Sequence, residues 1–220
     1  MKKFIFVALA LVFAAPVMAG QPWTYAQVGY VEFDSDLNTD CSGCDDVRNT
    51  GYDVRGSIGF LENWHAQAAY TKLKGEPSEN FDYADSKGYM LRAGLHQGLT
   101  EATDLVLDLA YNKRKATGST SCDDCDDGET SWFTVRLGPQ TLVGEKLGLG
   151  AFVSYARGKE KNSDDRDKFS DMSFSMTADY YFTPALSLGA EFNLQDGDMG
   201  DQPEGDSLLI NVRYSFTDRW

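Results

Sequence analysis

The chain has 220 residues, with 34 Asp and Glu against 20 Lys and Arg and a formal net charge of −14. That balance argues against nucleic acid and anionic surfaces as general partners and favours cations or basic ligands. The length suits one domain, and beyond the first twenty residues no apolar run is long enough for a membrane-spanning helix.

The N-terminus reads as a leader. Lys2 and Lys3 precede an apolar run from Phe4 to Val17 broken only by Pro16, and Val17-Met18-Ala19 offers a cut after Ala19. Residues 1–19 are therefore expected to be a signal peptide and 20–220 the exported domain. No cysteine follows the cut, which argues against a lipoprotein anchor.

After the leader, apolar and polar residues alternate with the period of two that gives a strand one greasy and one wet face. Tyr52, Val54, Ile58 and Phe60 alternate with Asp53, Arg55, Ser57 and Gly59. Leu105, Leu107, Leu109 and Tyr111 alternate with Asp104, Val106, Asp108 and Ala110. The longest case sets Met172, Phe174, Met176, Ala178, Tyr180 and Phe182 against Asp171, Ser173, Ser175, Thr177, Asp179 and Tyr181. Leu186–Leu194 and Leu208–Phe216 repeat the pattern.

Ten such segments fall at about 23–34, 51–60, 63–74, 86–97, 103–114, 130–141, 146–157, 169–182, 185–195 and 206–217. Most have the ten or so residues a tilted strand needs to cross a bilayer. Short turns near 61–62, 98–102, 143–145 and 183–184 alternate with long polar loops near 35–50, 75–85, 115–129, 158–168 and 196–205. The expected fold is all-β: an antiparallel, up-and-down transmembrane barrel of ten strands, with eight or twelve as alternatives and both termini on the short-turn side. Pro139 lacks a backbone donor and is expected near a strand end.

Aromatic residues mark both ends of the apolar faces. Trp23, Tyr25, Phe60, Trp64, Phe182 and Phe216 fall near the short-turn rim; Tyr30, Tyr52, Tyr70, Tyr89, Tyr111 and Tyr155 fall near the loop rim. Two girdles bracketing an aliphatic band suit two membrane interfaces. A soluble β-sandwich or lipocalin-like barrel, with the apolar face inward, is the competing reading.

The segment Val212, Tyr214, Phe216 and Trp220 has a terminal aromatic preceded by apolar residues at alternate positions, although Asp218 breaks the series. It resembles the C-terminal membrane-insertion signal of outer-membrane proteins. With the leader and the strand pattern, the chain is similar to small OmpA-like or porin-like outer-membrane barrels of Gram-negative bacteria. The resemblance implies residence in the cell outer membrane after export, insertion by the outer-membrane assembly machinery, and lipid and lipopolysaccharide as neighbours. It identifies no subfamily. Such barrels serve as anchors, adhesins, small pores and, in a few cases, enzymes.

The wet parity collects Asp53, Arg55, Arg92, Asp104, Asp108, Arg136, Asp171, Asp179, Glu191 and Arg213. In a narrow lumen such groups must pair or be hydrated, giving either a filled interior or a thin wet path for ions. Gly29, Gly59, Gly88, Gly94, Gly148, Gly150 and Gly189 thin the lumen wall and favour the path.

Cys41 and Cys44 lie in the first long loop and Cys122 and Cys125 in the third. Exported thiols are expected to be oxidised, either as two local rings or as bridges between the loops. A four-thiolate metal site and a redox pair are the other chemistries for two CxxC motifs. No cofactor is expected; weak Ca²⁺ or Mg²⁺ binding at the acidic loops, or Zn²⁺ at the cysteines, is the alternative. In the fourth loop Arg157, Lys159, Lys161, Arg166 and Lys168 supply cations that could touch lipid phosphates.

The only histidines, His65 and His96, adjoin short turns and have no conspicuous nucleophile in register, so no catalytic triad is expected. The function expected is non-enzymatic: envelope structure or surface interaction through acidic, disulfide-bearing loops. A small porin-like channel and an external metal-binding or redox-sensing protein are the alternatives. Oligomeric state is left open.

Overall fold

A computed structural model describes residues 23–36, 47–75, 84–118, 128–161, 166–196 and 204–216. They form ten strands: β1 Tyr25–Asp36, β2 Val47–Phe60, β3 Trp64–Gly75, β4 Ala84–Gly98, β5 Thr103–Gly118, β6 Gly128–Val143, β7 Leu147–Lys161, β8 Arg166–Tyr181, β9 Leu186–Asp196 and β10 Glu204–Ser215. Each strand pairs antiparallel with its neighbours in sequence. β1 closes the circle on β10 through pairs such as Val28 with Val212. Closure leaves no sheet edge, so every strand finds backbone partners on both sides, as a bilayer requires.

The barrel is inside-out relative to a soluble protein. Val54, Ile58, Leu91, Leu107, Leu109, Val135, Ile210 and Val212 point outward and are exposed, whereas Asp53, Asp108, Ser175, Asp179 and Asn211 are buried within. An exposed apolar surface on all sides is a membrane face. The alternation is therefore resolved with the greasy parity outward, against the soluble reading.

At the loop end, Tyr52, Tyr70, Tyr89, Tyr111, Phe133 and Tyr155 form a girdle. Ring centroids lie 6.2 Å apart for Tyr52–Tyr70 and 5.2 Å apart for Tyr70–Tyr89 and Tyr111–Phe133. At the short-turn end Phe60, Trp64, Phe182 and Phe216 are exposed on the outer surface. Trp23 and Tyr25 depart from the sequence expectation, because both turn into the lumen rather than joining that girdle.

The strands overrun the expected boundaries at the loop end. β5 continues through Lys113-Arg114-Lys115 to Gly118, and β8 begins at Arg166. Both faces are polar there, so no alternation marks the extension. Pro139 lies within β6 rather than near its end. It stays opposite Leu105 of β5, while the β6–β7 ladder is interrupted between the pairs Leu137–Val153 and Gln140–Gly150. A proline lacks the donor that side of the ladder needs, and the gap accommodates it. On the short-turn side, Leu61 and Glu62 take positive φ angles of 50° and 35° between β2 and β3.

Candidate functional site

The lumen is the candidate site, and three layers can be followed through it. Nearest the loop end is a cavity of about 270 Å³. Inward-facing Thr71, Leu73, Ser86, Asn112, Arg114 and Trp132 line it, and Asp53 and Arg55 lie at its lower end. The Arg114 guanidinium crosses from β5 to within 5.5 Å of the Phe33 ring centre on β1.

Below the cavity runs a belt of paired charges. Arg55 donates from Nε to Asp53 Oδ1 at 2.6 Å and from Nη1 to Glu191 Oε2 at 2.7 Å, bridging β2 to β9. Thr71 donates to the other Asp53 oxygen at 2.7 Å. Arg136 holds Asp108 Oδ2 through Nε at 2.7 Å and Nη2 at 2.5 Å, and Arg92 Nη1 stands 3.8 Å from the same oxygen. Arg213 Nη1 lies 3.3 Å from Asp179 Oδ2, and its Nε donates to Gln27 Oε1 at 3.2 Å. Its guanidinium stacks 4.3 Å above the Tyr25 ring, as that of Arg136 does at 4.2 Å on Phe152. Opposite charge within reach of each group offsets its removal from water; Arg92 is the most loosely held, its buried Nε having no hydrogen-bond partner among the described residues.

At the short-turn end the lumen holds a stack of rings. Trp23 stacks on both His65 and His96, with centroid distances of 4.4 and 4.3 Å and planes within 19° and 16° of parallel, and the two imidazoles lie 6.0 Å apart beside one another. His65 Nε2 lies 3.0 Å from Asp108 Oδ1, tying the stack to the belt. Glycine makes this contact available. His65 is directly opposite Gly94, Gly94 opposite Asp108, and Asp108 opposite Arg136. A Cβ on Gly94 would collide with both the Asp108 carboxylate and the His65 ring. Gly189 serves likewise beneath Asp179 and Asn211.

Of the charged residues singled out on the wet parity, Asp53, Arg55, Arg92, Asp108, Arg136, Asp179, Glu191 and Arg213 come together in the belt. Asp171 is buried, and Asp104 sits half-buried at the short-turn end, opposite Gln140. The Trp23–histidine stack and the His65–Asp108 contact escaped the sequence reading. The usable signal was a bare glycine at the wet-parity position between them.

Several expected sites lie outside the described residues: the leader, Cys41, Cys44, Cys122, Cys125, the acidic loop tips and Trp220. Val212, Tyr214 and Phe216 point outward into the apolar belt. Among the described residues no three His, Cys, Asp or Glu side chains gather as a metal site.

The outer membrane protein beta-barrel domain family model matches residues 5–216. No curated protein matches the chain. Among solved structures, an outer membrane channel from Pseudomonas putida F1 is 14% identical with a TM-score of 0.53, covering 91% of this chain and 96% of its own. The beta domain of the Bordetella autotransporter BrkA is 11% identical with a TM-score of 0.51, covering 89% and 100%. The outer membrane protease OmpT from Escherichia coli is 11% identical at 0.43, covering 87% and 96%. At these identities the likeness is one of fold.

Proposed function

Because the chain belongs to the outer membrane protein beta-barrel domain family and resides in the outer membrane of a Gram-negative cell, we propose that it is a non-conducting barrel whose work lies in envelope structure or surface interaction at its loop end. The observation that carries this reading is the filled lumen: the Arg55 bridge to Glu191 over the Trp23–His65–His96 stack. Ten strands enclose little more than the eight whose interiors side chains fill, far from the sixteen or so of water-filled porins.

The reading is also non-enzymatic. The histidine nearest an acid, His65, is buried beside Trp23, and Arg136 holds its acid through two nitrogens. Triad chemistry needs the acid to orient a histidine toward a nucleophile.

The cavity at the loop end favours a second reading, a small porin-like channel that is entered there and continues past Asp53 and Arg55. Planar-bilayer recording on the purified protein separates the two. We expect no unitary conductance in the native chain. Steady conductance steps at neutral pH would replace the first reading with a pore.

A further inference from the structure

The strongly negative chain carries a local exception on its lipid-facing side. On four of the five strands β3 to β7 the outward residue two positions beyond the girdle aromatic, toward the loops, is a cation. Tyr70 is followed by Lys72 on β3, Tyr89 by Lys87 on β4, Tyr111 by Lys113 on β5 and Tyr155 by Arg157 on β7; only Phe133 on β6 is followed by an uncharged residue, Ser131. On β1 the corresponding step from Tyr30 leads to Glu32, which pairs with Arg48 of β2. The cations therefore occupy one side of the barrel.

The arrangement is costly without a partner. Lys72 is directly opposite Lys87, and Lys87 directly opposite Lys115. Like charges in such positions stand only about 5 Å apart at Cβ and destabilise a sheet. Glu129 relieves part of this, lying 2.7 Å from Lys113 Nζ and 3.5 Å from Lys115 Nζ. A second like-charged pair, Lys159 opposite Lys168, continues the arc on β7 and β8. Lys87, Arg157, Lys159 and Lys168 are exposed.

Girdle aromatics mark the boundary between hydrocarbon and headgroups. Cations one step beyond them, on the outward parity, stand at headgroup depth. We infer that the arc of Lys72, Lys87, Lys113 and Arg157 seats the phosphates of a phosphorylated glycolipid of the outer leaflet, the lipid A part of lipopolysaccharide. Lys72 and Lys87, at cross-strand spacing, can share one phosphate through charge-assisted hydrogen bonds, and Arg157, separated from Lys113 by β6, is placed for another. The inference uses the membrane face alone and is independent of whether the lumen conducts.

The test is binding and thermal unfolding of the full chain in detergent, titrated with bisphosphorylated lipid A, with fully dephosphorylated lipid A, or with inorganic phosphate. We expect only the bisphosphorylated lipid to bind and to raise Tm. The Lys72→Gln/Lys87→Gln/Arg157→Gln variant should bind it about 100-fold less tightly, since each cation near an anionic surface is worth a factor of about five. A Lys72→Arg/Lys87→Arg variant should keep the affinity and shows that loss follows charge rather than misfolding. Equal binding of the dephosphorylated lipid, or undiminished binding by the Gln variant, would overturn the proposal. So would a Gln variant that loses stability equally with and without lipid, which would assign the arc to the chain's own acidic loops.

Discussion

His65 Nε2 stands 3.0 Å from Asp108 Oδ1 across a strand on which Gly94 offers no side chain. Three strands thus meet in one contact because the middle one is bare. Gly94→Val should force the Asp108 carboxylate and the His65 ring apart, an overpacking of the lumen that should cost about 2 kcal/mol. Urea titration of the folded barrel in detergent measures it. An unchanged midpoint would mean that the contact contributes nothing. Gly88 supplies the comparison, since a Cβ there meets only Thr71 at ordinary contact distance.

Arg55 joins Asp53 of its own strand β2 to Glu191 of β9. Arg55→Ala leaves two carboxylates in a confined space and should destabilise the barrel by about 3 kcal/mol. Adding Glu191→Gln should return part of that loss, because one unpaired charge is then gone. A double-mutant cycle with no coupling between the two positions would refute the pairing.

Trp23 fills the short-turn end by stacking on two neighbouring histidines. Trp23→Ala should lower stability by about 2 kcal/mol, below the usual cost for a fully buried tryptophan because Trp23 is only half-buried. It should still give no bilayer conductance, since the belt behind it remains closed. Conductance appearing in this variant alone would make Trp23 the whole barrier.

Leu107 and Asp108 are adjacent in sequence and opposite in environment, one exposed on the apolar face and the other buried in the lumen. Leu107→Arg places a charge in the hydrocarbon and should cost about 2–4 kcal/mol if the site is near the bilayer midplane. Reversible unfolding in lipid vesicles reads this directly. A cost near zero would put Leu107 outside the membrane band.

Cys41, Cys44, Cys122 and Cys125 are proposed to be oxidised, as the exported compartment favours. Thiol titration of the denatured protein should find no reactive sulfur before reduction and all four after it. Reactive thiols together with bound zinc by elemental analysis would favour the metal reading instead.

Which residues share a face of each strand, and a count of ten strands, were legible in the sequence; that the apolar face points outward was decided by the closed barrel. Alternation is a local property: a side chain's parity depends only on its neighbours along the chain, and Met172 to Phe182 shows it without reference to any other strand. The same locality located the charges of the lumen by parity. It could not locate Trp23 or Tyr25, which precede the regular pattern or sit at its first residue. Nor could it mark the polar strand ends such as Lys113–Gly118, where both faces are wet.

Only the tertiary structure decided which residues meet. Cross-strand register is set by the turns and by closure of the whole barrel, so each partner depends on residues distant in sequence. His65, Gly94, Asp108 and Arg136 come from four strands and share a row only because three successive pairings place them there. The facing lysines at positions 72, 87 and 115 arise the same way. Composition shows an acidic chain; closure of the sheet gathers its cations on one side of the membrane face.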